Sequence, residues 1–274
     1  MAIRGFNLTE SSNPALKHDE YFAPITGAET ASVNGVINKT AILTVLAVIG
    51  GVIGIGIAQR IGLSMPVLIG WSLGTAVITL ILYFMAVRNP MRAVALAPAY
   101  AIIEGAFLGV FTMLIDSWLA KSGYVAVGGV ALQAFVITLA ILASMLTLYY
   151  FRILQATPMF TRVVFTLVVG IFIAYGVSFI LMLFGIYVPF ISVFTTPTEG
   201  GGMWIGIGLN LFILLIASLM LIIDFKIIED HIKAGSPKRI EWFLGFCLLV
   251  TLAWIYMEAV KLSARLAILA GNRD

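Results

Sequence analysis

The sequence predicts an all-α membrane protein, a bundle of seven transmembrane helices. Two observations carry this, one from composition and one from patterning. Of 274 residues, 61% are hydrophobic and 11% are charged, and the mean hydropathy is +1.09. A soluble domain needs about 25% charged residues to keep its surface wet, so this apolar excess cannot be hidden in one core. The apolar residues gather into seven windows that each approach the ~20 residues needed to cross the hydrocarbon as a helix. These segments are apolar all round, whereas barrel strands alternate apolar and polar residues over about ten positions. In lipid the backbone amides must be paired within the segment, so the windows are helices.

In chain order the windows run roughly over 40–58, 66–87, 93–116, 126–151, 162–186, 203–226 and 240–266. They are preceded by a polar tail, 1–38, whose Ser11-Ser12-Asn13-Pro14 and 27–34 stretches suit irregular structure. The tail lacks the basic, apolar, small-residue order of a signal peptide. The organisation expected is thus a cytosolic tail over 1–38, disordered or loosely docked, a seven-helix domain over 39–270 and a short C-terminal tail over 271–274. Short connections favour a single bundle.

Charge sets the orientation. With the N-terminus inside, eleven of the sixteen Lys and Arg residues fall on inner segments, and the outer side holds Arg60, Lys121, Lys261, Arg265 and Arg273. The positive-inside rule then predicts a cytoplasmic N-terminus and a C-terminus outside the cell membrane. The net charge of +3 is too small to imply a nucleic-acid partner. Three small-residue pairs, Gly50-x-x-x-Gly54, Gly105-x-x-x-Gly109 and Gly202-x-x-x-Gly206, have the spacing of close helix packing, here read as intramolecular.

Ionisable residues inside the windows are the functional pointers, because charge in lipid is costly and turns toward the bundle interior. Glu104 lies in the middle of the third window, where no snorkelling can bring it to water. It is expected to be protonated, paired or facing an aqueous path, with an interhelical hydrogen bond as the structural alternative. Asp224 closes the apolar run of the sixth window and reads either as a solvated helix end or as a buried acid. Glu258 lies in the seventh window three residues before Lys261, which allows a self-neutralised pair on one face or an acid aimed at the bundle axis. Arg88 and Arg92 bracket the turn between the second and third windows. They serve topology or reach inward to an acid. The seventh window, with Glu258, Lys261 and Arg265, is too polar for a lipid-facing span and reads as the central helix. Cys247 is the sole cysteine and His18 and His231 lie outside the spans. No phosphate-binding loop and no metal-spaced Cys/His motif occurs, so neither hydrolytic chemistry nor a cofactor is expected.

At these residues the chain resembles the Bax inhibitor-1 family, also called the transmembrane Bax inhibitor motif family, and within it the bacterial YccA-like branch. The resemblance rests on Arg88-Asn-Pro-Met-Arg92 leading into Tyr100-Ala-Ile-Ile-Glu-Gly-Ala-Phe-Leu-Gly109. It continues through Leu221-Ile-Ile-Asp-Phe-Lys-Ile-Ile-Glu229, Gly235-Ser-Pro-Lys-Arg-Ile-Glu-Trp242 and Val250-Thr-Leu-Ala-Trp-Ile-Tyr-Met-Glu-Ala-Val-Lys-Leu262. It implies a seven-helix bundle with helix seven central, acting as a pH-sensitive Ca²⁺ leak of the cell membrane, the bacterial inner membrane for this branch. It further implies a sensor made of one acid on helix six and one on helix seven that share a proton when closed. Asp224 and Glu258 match those positions, and as oxygen ligands they would also be the metal-attracting pair. Arg88 is the nearest match to the arginine that pairs with the helix-six acid, ahead of Arg92, and Glu104 would line the same ion path. Glu258 stands where the family pattern has aspartate. Counted from Glu241 it lies about 25 Å along a straight helix, so meeting Asp224 requires the membrane part of helix seven to start near Thr251. The resemblance also implies a second reading, a non-conducting regulator that acts by contact, for instance on a membrane-bound AAA protease, through its cytosolic tail.

Overall fold

The computed structural model describes residues 29–61, 65–188, 190–191 and 200–271. These form α1 (Val33–Ile61), α2 (Met65–Arg88), α3 (Ala93–Lys121), α4 (Val130–Tyr150), α5 (Pro158–Leu183), α6 (Gly200–Lys233) and α7 (Ile240–Gly271), with a 3-10 turn at Pro90–Arg92 between α2 and α3. All seven helices are long and apolar enough to cross a membrane, as the hydropathy windows predict.

The ends differ from the windows for local reasons. Helix α1 starts at Val33 rather than near 40, because its N-terminus is capped. The Ser32 hydroxyl accepts the Gly35 N–H at 3.0 Å, and the Glu241 carboxylate of α7 accepts the Ser32 N–H at 3.0 Å. Residues 29–32, the end of the expected tail that the structure describes, are docked on the α6–α7 turn. Thr30 forms a bridge with Pro237, Ala31 N–H donates to the Ser236 carbonyl, and Glu29 pairs with Lys238. The expectation for residues 1–28, like that for 272–274, lies outside the described residues. Helix α4 starts at Val130 rather than 126, after Gly128 and Gly129 at φ +77° and +81°, with Asp116 of α3 accepting the Val130 N–H at 3.0 Å. Helix α5 starts at Pro158, since Thr157 caps it through the Phe160 N–H at 3.2 Å. Helix α6 runs seven residues beyond its window because its polar end neutralises itself, Lys226 with Asp230 and Lys233 with Glu229.

Helix α7 is the core of the bundle. Some 72% of its apolar window is buried, against 11% for α5, and it packs on α1, α3, α4 and α6. Phe246, Leu244 and Ile255 are among the largest fully buried side chains. The central placement expected from its polarity is therefore the one observed.

The first two glycine pairs meet each other across α1 and α3. A Cβ on Gly54 would lie 2.6 Å from the Ala106 carbonyl oxygen and one on Gly109 2.5 Å from the Gly51 carbonyl oxygen, and Gly50 and Gly105 abut Ile102 and Ala47 more closely still. Backbone-to-backbone contact at this range gives dispersion energy that no larger side chain allows. At the other end of the chain, Gly206 serves through its carbonyl, which accepts from Arg265.

Helix α4 ends in a Schellman motif. Ile153 N–H reaches the Leu148 carbonyl at 2.9 Å and Arg152 N–H the Tyr149 carbonyl at 3.0 Å. The left-handed position of that motif, usually glycine, is held by Arg152 at φ 56°. An L-residue there costs roughly 1–2 kcal/mol.

Candidate functional site

The ionisable residues of the spans collect in two places along α7, and not as the sequence pairs them. The first is the contact of α6 with α7 around Asp224. Asp224 is 7% exposed, so it is not a solvated helix end. Its Oδ2 accepts the Thr251 hydroxyl at 2.6 Å. Thr251 in turn reaches the Cys247 carbonyl, and Tyr83 of α2 and the Cys247 side chain lie in the neighbourhood of Asp224. Beyond Tyr83, Tyr100 packs edge-on against Phe246 with ring centroids 4.9 Å apart. The Glu104 carboxyl lies within hydrogen-bonding reach of the Tyr100 and Thr79 hydroxyls. Thr79 of α2 stands beside Glu104, as the structural alternative of an interhelical contact requires, while Glu104 also lines a cleft described below.

The second place lies two turns of α7 further on. Glu258 is fully buried. Its Oε1 accepts from Lys261 Nζ at 2.6 Å and from the Tyr175 hydroxyl at 2.7 Å, and its Oε2 from Asn210 Nδ2 at 2.9 Å. Lys261 also donates to the Tyr175 hydroxyl at 3.0 Å. Asn210 bonds the Glu258 main-chain carbonyl as well, at 3.2 Å, and keeps its own Oδ1 without a partner among the described residues. One turn on, Arg265 donates to the backbone carbonyls of Gly206 and Phe190. Through these bonds Tyr175 of α5 and Asn210 of α6 are tied to Glu258 of α7.

The expected carboxyl pair therefore does not form. Thr251, seven residues before Glu258 and so about 10 Å nearer the start of α7, is the residue that faces Asp224. Glu258 takes the other option left open for it, the i,i+3 pair with Lys261. Arg88 and Arg92 are exposed at the ends of α2 and the 3-10 turn, and no ion pair joins either to Asp224 among the described residues. The helix that Arg88 terminates carries it to the surface, one turn past Tyr83, which occupies the inward position. The two expected metal ligands are held apart, and no group of three His, Cys, Asp or Glu side chains that could hold an ion occurs among the described residues.

Reasoning from charge alone passed over Thr251, Tyr175 and Asn210. Asn210 and Tyr175 left a readable trace, since each interrupts an otherwise apolar run. Thr251 left none, because threonine is common in membrane helices and bonds its own i−4 carbonyl, as Thr40, Thr138 and Thr147 do here.

No curated protein and no solved structure matches the chain. The family model described as Bax inhibitor 1 like matches residues 13–268, nearly the whole chain. The seven-helix membrane bundle, with its acid-bearing central helix, thus belongs to the Bax inhibitor-1 family.

Proposed function

We propose that this chain is a proton-sensitive cation leak, Ca²⁺ among its ions, of the cell membrane, oriented with its N-terminus in the cytoplasm. One observation carries the reading: Asp224 is buried where α6 crosses α7, and its hydrogen-bond partner is an uncharged hydroxyl. A protonated Asp224 is neutral and forms an ordinary hydrogen bond with Thr251, so the two helices stay together. An ionised Asp224 places a full negative charge in that contact with no cation paired to it among the described residues, which weakens the α6–α7 packing. The same charge attracts a cation, and carboxylate and hydroxyl oxygens suit Ca²⁺. The gate then needs one carboxyl and a threonine rather than two carboxyls sharing a proton.

The test is Ca²⁺ flux into proteoliposomes at several pH values. Flux is expected to rise with pH in the wild type and to lose its pH dependence in Asp224→Asn. Equal pH dependence in both would overturn the proposal.

A second reading, a regulator acting by protein contacts such as a modulator of a membrane-bound protease, is favoured by the docking of residues 29–32 on the α6–α7 turn. That contact couples whatever binds residues 1–28 to these two helices. It predicts that deleting 1–28 abolishes the cellular effect while flux is absent throughout.

A further inference from the structure

A cleft of about 1530 Å³ runs along the bundle between α1 and α4, floored by α3 and α7. Its lining extends from Val33 to Ile55 of α1, about 33 Å of helix, which matches the ~30 Å hydrocarbon core of a bilayer. Its walls are aliphatic and open sideways: Val45, Val48 and Val52 on one side and Leu132 and Leu139 on the other are all substantially exposed. The polar end is different. Where α4 and α6 finish, the rim holds Arg152, Lys226 and Lys233, with Glu229 as the one carboxylate among the lining residues there.

We propose that this cleft is a binding site for one anionic glycerophospholipid, its acyl chain lying between α1 and α4 and its phosphate at Arg152. Three independent features converge on that occupant. The cleft is as long as the hydrocarbon core is thick, so a chain of one leaflet fits within it, and its walls are mostly apolar. Its cationic side chains are confined to one end, where a headgroup sits, and Glu104 is the one carboxyl among the lining residues away from it. The charge that remains after internal pairing is that of Arg152, because Lys233 is taken by Glu229 and Lys226 by Asp230, and Arg152 makes no ion pair among the described residues. Arg152 also occupies the left-handed position of the Schellman motif, where glycine would relax the backbone. A strained residue points to a role for its side chain, and here that side chain is a bidentate phosphate donor.

The experiment is electron spin resonance of the full chain in phosphatidylcholine vesicles, with chain-labelled phosphatidylglycerol or chain-labelled phosphatidylcholine as probe. The wild type is expected to immobilise labelled phosphatidylglycerol about five-fold more readily than phosphatidylcholine, the equivalent of about 1 kcal/mol from one basic group. Arg152→Gly removes the charge while relieving the backbone, so a folding defect cannot mimic its effect, and it is expected to erase the preference. Leu139→Trp, which narrows the cleft between α1 and α4, is expected to lower the preference for phosphatidylglycerol. Equal immobilisation of the two lipids by the wild type, a preference that survives Arg152→Gly, or a preference unchanged in Leu139→Trp would each overturn the proposal.

Discussion

Replacing Lys261 by methionine keeps the length and apolar stem of the side chain and removes its ammonium. Glu258 then remains fully buried with no counter-ion at Oε1. Breaking one side of a buried ion pair costs roughly 3–5 kcal/mol. Tyr175 and Asn210 still donate to the carboxylate at 2.7 and 2.9 Å, which places the expected loss at the lower end, about 3 kcal/mol. The double variant Glu258→Gln/Lys261→Met removes both charges while retaining an acceptor for Tyr175. It is expected to lie within about 1 kcal/mol of the wild type, since a neutral replacement of a buried pair is often no worse than the pair. The cycle is read by unfolding in mixed micelles as the fraction of denaturing detergent is raised, with wild type, both single variants and the double variant side by side. A Lys261→Met loss below about 1 kcal/mol would show that Lys261 does not neutralise Glu258. A double variant as unstable as the single one would show the same.

The remaining predictions concern the frame around these clusters. Gly105→Leu drives a side chain into the Ala47 backbone and is expected to destabilise the bundle by about 1–3 kcal/mol in the same unfolding assay, whereas Gly56→Leu, where nothing lies within 4 Å, is expected to be near neutral. Glu241→Ala leaves the Ser32 N–H at the start of α1 without its buried acceptor and is expected to cost about 2 kcal/mol, with Glu241→Gln recovering part of it. The Lys238 ammonium beside Glu29 holds that carboxyl below its ordinary value of 4.5. Its contribution is present above that pH and lost as pH falls through the lowered value. Lower protection of the Ala31 and Lys238 amides, relative to their intrinsic exchange rates, is the expected result once pH has fallen through that lowered value.

Seven helices and the central place of α7 were legible because they rest on hydropathy and on the polarity of Glu258, Lys261 and Arg265, properties that each segment carries by itself. Helix ends were less so. The start of α1 is fixed by Glu241, which lies 209 residues from Ser32, and no local signal announces a cap supplied by another helix. The acid-rich interior was also legible, since Glu104, Asp224 and Glu258 are all drawn inward. Their pairing was not. Which residue of α7 faces Asp224 depends on the register of α6 against α7, and the seven residues from Thr251 to Glu258 span about 10 Å. Arg88 shows the complementary case. Its position in the chain suits an inward salt bridge, but the rotation of α2 gives that direction to Tyr83, which sits against Phe246 with ring centroids 6.1 Å apart.

The most direct measurement of the gate is Ca²⁺ flux in proteoliposomes between about pH 5 and 8, comparing wild type, Asp224→Asn and Thr251→Val. Thr251→Val keeps the shape of the side chain and removes the hydroxyl that holds Asp224, so its flux is expected to be higher than wild type while still rising with pH. Asp224→Asn is expected to lose the pH response altogether. A wild type without flux, or an Asp224→Asn variant that responds to pH as the wild type does, would contradict a gate built on Asp224.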